Sequence, residues 1–122
     1  MKKPIAFLSL VQGLYYVITG LWPVIDIDSF MMLTGPKDDR WLVKMVGLLA
    51  ASAGLTLMYQ AREGVGAAAR ILGISTAFSF LAIDVYYVIA RIIPVIYLAD
   101  AALQLALIAC WLLWASGRAR PR

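Results

Sequence analysis

Four long apolar runs constrain this chain more than any other feature of its sequence. They cover residues 4–25, 41–60, 67–93 and 95–115, and short polar breaks separate them. A helix needs about 20 apolar residues to cross the roughly 30 Å hydrocarbon core of a bilayer, so each run is long enough to span it. Hydrophobic residues make up 63% of the chain and charged residues only 15%, as is typical of membrane proteins. We therefore predict an all-α, four-helix transmembrane bundle that forms one domain over residues 1–122.

The distribution of Lys and Arg predicts the orientation of the bundle. Seven lie on the side that would hold both chain ends and the connection between the second and third runs, and four lie on the other side. The seven are Lys2, Lys3, Arg62, Arg70, Arg118, Arg120 and Arg122, and the four are Lys37, Arg40, Lys44 and Arg91. Cytoplasmic loops of membrane proteins carry an excess of positive charge. We expect the first run to be retained as a helix and both termini to be cytoplasmic, in a bacterial cytoplasmic membrane.

Residues 26–40, the longest polar connection, contain the short apolar piece SFMML at 29–33. Ser29 is a residue type that often precedes a helix, because its hydroxyl accepts a hydrogen bond from a free backbone N–H group. We predict a short helix here that lies at the membrane interface and is capped by Ser29.

Two carboxylates and an arginine lie within or beside the last two apolar runs. They are Asp84, Arg91 and Asp100, in the stretch DVYYVIARIIPVIYLAD at 84–100. An ionisable side chain at membrane depth is costly, so it needs a partner or a function. This stretch therefore predicts either a structural ion-pair cluster or a binding site.

An internal similarity predicts which residues accompany these charges. A shift of 71 residues aligns YYVI at 15–18 with YYVI at 86–89 and PVI at 23–25 with PVI at 94–96. A shift of 56 residues aligns the second run with the fourth and places Lys44 opposite Asp100. We predict two parallel hairpin repeats, which would bring Lys44 and Asp100 to the same depth on facing helices.

The candidate site that follows from this alignment combines the charges with nearby tyrosine and amide side chains. Its residues are Asp84, Asp100, Lys44, Arg91, Tyr16, Tyr87 and Gln104. One interpretation is that the four charges neutralise one another and fix the helix register. Another is a polar pocket in the outer half of the bundle that holds a lipid-like or amphiphilic small molecule. Its walls would be Tyr15, Tyr16, Tyr86, Tyr87 and Tyr97, with Gln12 and Gln104 as further hydrogen-bonding groups. A contact with another membrane protein is a third.

The residue types argue against catalysis and metal binding. The chain contains no histidine and one cysteine, Cys110, so the commonest general base and most transition-metal ligands are missing. We predict no catalytic residues, no metal, no cofactor and no nucleic-acid binding. The leading hypothesis is a non-enzymatic protein that acts by association, as an accessory subunit or a homo-oligomer. Small residues at 47–54 and the connection at 26–40 would form the contact surface. The alternative is the binding protein for a lipid-like molecule.

Two stretches carry a resemblance to a known group of proteins. They are TGLWPVIDIDSFMMLTGPKDDRWLVKMVG at 19–47 and DVYYVIARIIPVIYLAD at 84–100. The chain resembles the small four-span bacterial membrane proteins of the uncharacterised, DoxX-like type. The resemblance implies a four-helix bundle in a bacterial cytoplasmic membrane, and it brings no established activity or functional residues.

Overall fold

The computed structural model describes residues 2–35 and 38–118, with side chains from 4–35 and 38–114. The orientation prediction used Lys2, Lys3, Lys37, Arg118, Arg120 and Arg122, whose side chains lie outside these described residues. The helices are α1 (Lys2–Ile25), α2 (Ile27–Thr34), α3 (Arg40–Glu63), α4 (Ala67–Ile89) and α5 (Tyr97–Arg118). Four of them are long and apolar enough to cross a membrane. The predicted all-α bundle is confirmed, and its four apolar helices are compatible with a multi-pass membrane protein.

The long helices are arranged as two pairs. α1 packs mainly on α3, and α4 packs mainly on α5. The pairs meet through two smaller contacts of similar extent, one between α1 and α5 and the other between α3 and α4. The order around the bundle is therefore α3, α1, α5, α4, with α3 and α5 on a diagonal. This pairing is compatible with two hairpins, but duplication of one hairpin from the other stays a prediction.

Glycines allow the close contact between α1 and α3. Gly13 faces Gly54 and Gly20 faces Gly47, with a spacing of seven residues in both helices. A Cβ atom on Gly13 would lie only 2.5 Å from the carbonyl oxygen of Gly54. Hydrocarbon gives helices no hydrophobic reason to associate, so close backbone packing between small residues takes that role. Part of the small-residue face of α3 is thus used inside the bundle.

The predicted short helix before α3 is confirmed as α2, but its cap differs. Asp26 is the N-cap, and its carboxylate accepts a hydrogen bond from the backbone N–H of Ser29. The Ser29 hydroxyl instead accepts a hydrogen bond from the indole N–H of Trp22 at 2.8 Å. Trp22 also packs edge-on against Phe30. These contacts hold α2 across the end of α1, and Met32 of α2 is 87% exposed.

α4 ends at Ile89, before the predicted end of its apolar run. Arg91 adopts a left-handed conformation with φ of 64°. Its N–H donates to the carbonyl of Val88, and the N–H of Ile92 donates to the carbonyl of Tyr87. This is the Schellman arrangement that closes many helices, with an arginine where glycine is usual. Pro94 then prevents the chain from resuming a helix at once.

Enlarging Gly13 tests the glycine contact. We expect Gly13→Ala to lower the free energy of unfolding in detergent micelles by about 1–3 kcal/mol, because the added methyl group overlaps the α3 backbone. Helix propensity alone would predict a gain, since alanine favours a helix over glycine. Enlarging the exposed Ala82 to leucine is the matched control and should change the stability little. Equal stability of Gly13→Ala and the wild type would contradict the close contact.

Candidate functional site

A chain of hydrogen bonds joins the two helix pairs through their buried polar side chains. The Tyr16 hydroxyl donates to Gln104 Oε1 at 2.8 Å, and Gln12 Nε2 donates to the Tyr16 hydroxyl at 3.0 Å. The indole N–H of Trp111 donates to Gln12 Oε1 at 2.5 Å. Gln12 Nε2 also donates to the carbonyl oxygen of Gly73 on α4 at 2.9 Å. The four side chains are each at most 1% exposed, so these bonds form away from lipid and water.

The helical repeat explains why these residues meet. Gln12 and Tyr16 are four residues apart on α1 and lie on one face, as do Gln104 and Trp111, which are seven residues apart on α5. The two faces are turned towards each other. Gln12 lies where α1, α4 and α5 come together, and its amide uses both its nitrogen and its oxygen.

Two carboxyl groups extend this network towards the end of the bundle at which α1 and α4 end and α3 and α5 begin. We call this the α2 end. Asp100 Oδ1 accepts hydrogen bonds from the Tyr15 hydroxyl at 2.5 Å and from Gln104 Nε2 at 3.2 Å. Asp84 lies next to Asp100 and is only 5% exposed. Its Oδ2 atom is buried and has no hydrogen-bond partner in the described part of the chain. The polar network consists of Gln12, Tyr15, Tyr16, Asp84, Asp100, Gln104 and Trp111.

The structure does not bring Lys44 or Arg91 to the two acids. Lys44 lies exposed on α3, which is diagonal to the α5 helix that carries Asp100. The expected facing of Lys44 and Asp100 is therefore wrong, because α1 and α4 are the neighbours of α5. Arg91 lies exposed beyond the end of α4, so it does not share a helical face with Asp84. Within residues 4–35 and 38–114 neither cation makes an ion pair; Arg40 pairs with Asp28 at 3.8 Å.

The other predicted residues divide between the network and its surroundings. Tyr16, Asp84, Asp100 and Gln104 come together as the sequence predicts. Tyr87 is partly buried and packs edge-on against Tyr86, with ring centroids 4.9 Å apart. No hydrogen bond links it to the network in the described residues.

Trp111 belongs to the network but was not predicted from the sequence, whereas Gln12 and Tyr15 were expected among the residues that would line the polar pocket. Gln12 is the only amide side chain in the first apolar run, and it lies one helical turn from Tyr16. That isolation was the available signal for Gln12. Trp111 looks like an ordinary interfacial tryptophan in the sequence, and only the packing of α5 on α1 shows that its indole N–H is buried.

A groove opens on the surface of the bundle between α3 and α4. Its volume is about 220 Å³. It is lined by Val46, Leu49, Ala50 and Ala53 from α3 and by Ser75, Thr76, Ser79 and Phe80 from α4. Phe80 packs edge-on against Tyr16 with ring centroids 5.3 Å apart, so the floor of the groove contacts the polar network. The groove itself contains no charged residue.

The described residues include no group of three His, Cys, Asp or Glu side chains placed to hold a metal ion. No protein-family model, curated protein or solved structure matches the chain. The resemblance to DoxX-like proteins therefore stays a prediction, and the interpretation of the site depends on its geometry.

Removing the Gln12 amide tests whether the network stabilises the bundle. We expect Gln12→Leu to lower the free energy of unfolding by about 2 kcal/mol, because it deletes three hydrogen bonds, two of them to other helices. Hydrogen bonds between membrane helices contribute about 0.6 kcal/mol on average and up to about 1.7 kcal/mol. Chemical unfolding in mixed micelles gives the measurement. Gln60→Leu on α3, where the amide is only partly buried, is the control and should have a much smaller effect.

Proposed function

We propose that this protein acts by association within the membrane, and that a second copy of the chain packs into the groove between α3 and α4. The observation that supports this most is the open side of the bundle. The polar network joins α1, α4 and α5, and glycine contacts join α1 to α3. Between α3 and α4, by contrast, a groove of about 220 Å³ is left open. The association would be non-enzymatic.

The groove has the side chains that helix packing in lipid uses. Ala50 and Ala53 on α3 and Ser75 and Ser79 on α4 are small, so another helix could approach their backbones closely. The hydroxyls of Ser75 and Thr76 both donate to the backbone carbonyl of Leu72, and that of Ser79 donates to the carbonyl of Ser75. The three hydroxyls that line the groove are therefore already hydrogen-bonded. This chemistry favours a helix over a charged or strongly polar molecule.

The surface beside the groove favours a second copy as the partner. Leu49 and Phe78 are more than 60% exposed, on α3 and α4 respectively. A two-fold axis would place the same patch on both partners, so large side chains of one copy would face the small residues of the other. Large apolar and small residues next to each other make this patch complementary to itself.

The internal bonding of the network weighs against the alternative, a site for a lipid-like molecule at Asp84, Asp100 and Lys44. Such a site needs Lys44 beside the acids and free polar groups for a headgroup. Lys44 is instead exposed on α3, and Tyr15, Tyr16 and Gln104 are bonded to other groups of the protein. The network has the geometry of an internal connection between helices. A bacterial cytoplasmic membrane with both termini in the cytoplasm is the location that we propose for the bundle.

Cysteine cross-linking in native membranes tests the proposed contact. In a Cys110→Ala background, Ser79→Cys lies in the groove, and Leu113→Cys lies 71% exposed on α5 as the control. With a short bifunctional thiol reagent, we expect a covalent dimer from Ser79→Cys and little from Leu113→Cys. Equal yields at the two positions, a monomer only, or an adduct with a different protein would each contradict the second copy as the partner.

Filling the groove should prevent the association. We expect Ala53→Trp to remove the dimer from native mass spectra in mild detergent, because the indole would occupy the space between α3 and α4. Leu113→Trp is the control and should leave the dimer in place. The helical circular dichroism signal of both variants checks that they remain folded. A dimer that survives in Ala53→Trp would rule out this surface.

A further inference from the structure

We propose that Asp84 and Asp100 form a binding site for one exchangeable proton near the α2 end of the bundle, with the proton carried by Asp84. This inference does not depend on the proposed association. It concerns the part of the polar network that internal hydrogen bonding leaves incomplete.

The directions of the surrounding hydrogen bonds distinguish the two carboxyl groups. Tyr15 and Gln104 both donate to Oδ1 of Asp100. Asp84 receives no hydrogen bond at Oδ2 within the described residues, although it is only 5% exposed. A carboxylate needs donors, whereas a protonated carboxyl group supplies one itself. Asp100 thus has the donors that a carboxylate needs, whereas the buried Oδ2 atom of Asp84 lacks them.

The closeness of the two acids favours a shared proton. Their side chains lie next to each other where α4 packs on α5. Two carboxylates offer only acceptors, so a hydrogen bond between them forms only when one of them carries an O–H group. Two negative charges this close would also repel each other strongly, as in other carboxyl pairs that share a proton.

The helices around the pair supply no cation to replace the proton. α1 contributes the hydroxyls of Tyr15 and Tyr16, and α5 contributes the amide of Gln104 beside Asp100. α4 contributes Asp84 itself. The described cations at this end are Arg40 and Lys44 on α3 and Arg91 after α4. All three are exposed, and none pairs with either acid; Arg40 pairs with Asp28 instead. Burying an isolated charge costs more free energy than burying a neutral acid, so the protonated state is favoured.

The position of the pair allows exchange of the proton with one side of the membrane. Asp100 is partly exposed and lies three residues after Tyr97, the first residue of α5. Asp84 lies five residues before Ile89, the last residue of α4. At 1.5 Å per residue, the acids are about 5–8 Å from the α2 end. Water at that end can therefore reach Asp100, and Asp100 contacts Asp84.

Infrared spectroscopy of the full chain in lipid vesicles tests the proposal directly. The carbonyl stretch of a protonated carboxylic acid is separate from the bands of carboxylates. We expect this band at neutral pH in the wild type, its loss in Asp84→Asn, and no change in Asp28→Asn, whose acid is exposed. Absence of the band from the wild type, or its persistence in Asp84→Asn, would overturn the proposal.

Thermal unfolding separates a proton from a metal cation at the same position. Asparagine at position 84 can still donate a hydrogen bond to Asp100, so we expect Asp84→Asn to unfold at nearly the wild-type temperature. The wild type should also unfold at the same temperature in sodium chloride and in choline chloride of equal ionic strength. A sodium-dependent rise that Asp84→Asn abolishes would identify a cation site and overturn the proposal.

Discussion

The hydrogen bonds around Gln12 hold together helices that lipid alone would not hold. Inside a bilayer, lateral contacts between apolar side chains gain little, because lipid tails are equally apolar. Gln12 joins α1 to Trp111 of α5 and to the backbone of α4, and Tyr16 continues the connection to Gln104. The α1–α3 pair is held differently, by glycines that bring two backbones together. Close packing of backbones thus holds α1 to α3, whereas hydrogen bonds join α1 to α4 and α5. The hydrogen-bonded connection depends on Gln12.

This division accounts for the open side of the bundle. The polar residues of α1 face α5 and α4, and its glycines face α3, so two faces of α1 make helix contacts. The facing surfaces of α3 and α4 have neither glycine contacts nor hydrogen bonds of this network, and a groove of about 220 Å³ lies between them. The exposed small residues that result are the basis for proposing a second copy as the partner. The carboxyl pair at the α2 end is a separate feature. Its protonation would affect the contact of α1 with α5, because Tyr15 of α1 donates a hydrogen bond to Asp100 of α5.

Much of the architecture could be predicted from the sequence. Run length and composition predicted the four long helices, because the bilayer sets how many apolar residues a span needs. The proximity of Asp84 and Asp100 was also predicted, since helical rise places them at similar depths, and Tyr16 and Gln104 were expected to line the same pocket. The groups that surround the charged side chains were not predicted correctly. Lys44 was expected beside Asp100, but which helices are neighbours depends on packing, and α3 lies diagonal to α5. Arg91 was expected on a helical face, but α4 ends at Ile89.

The central claim is that hydrogen bonds, and not ion pairs, join the two helix pairs. Two double-mutant cycles on the free energy of unfolding test it most directly. We expect Tyr16→Phe and Gln104→Leu to be coupled by about 0.5–1.5 kcal/mol, because their side chains share one hydrogen bond across α1 and α5. Lys44→Met and Asp100→Asn should be additive to within about 0.5 kcal/mol. Strong coupling between Lys44 and Asp100, with additivity between Tyr16 and Gln104, would contradict the claim.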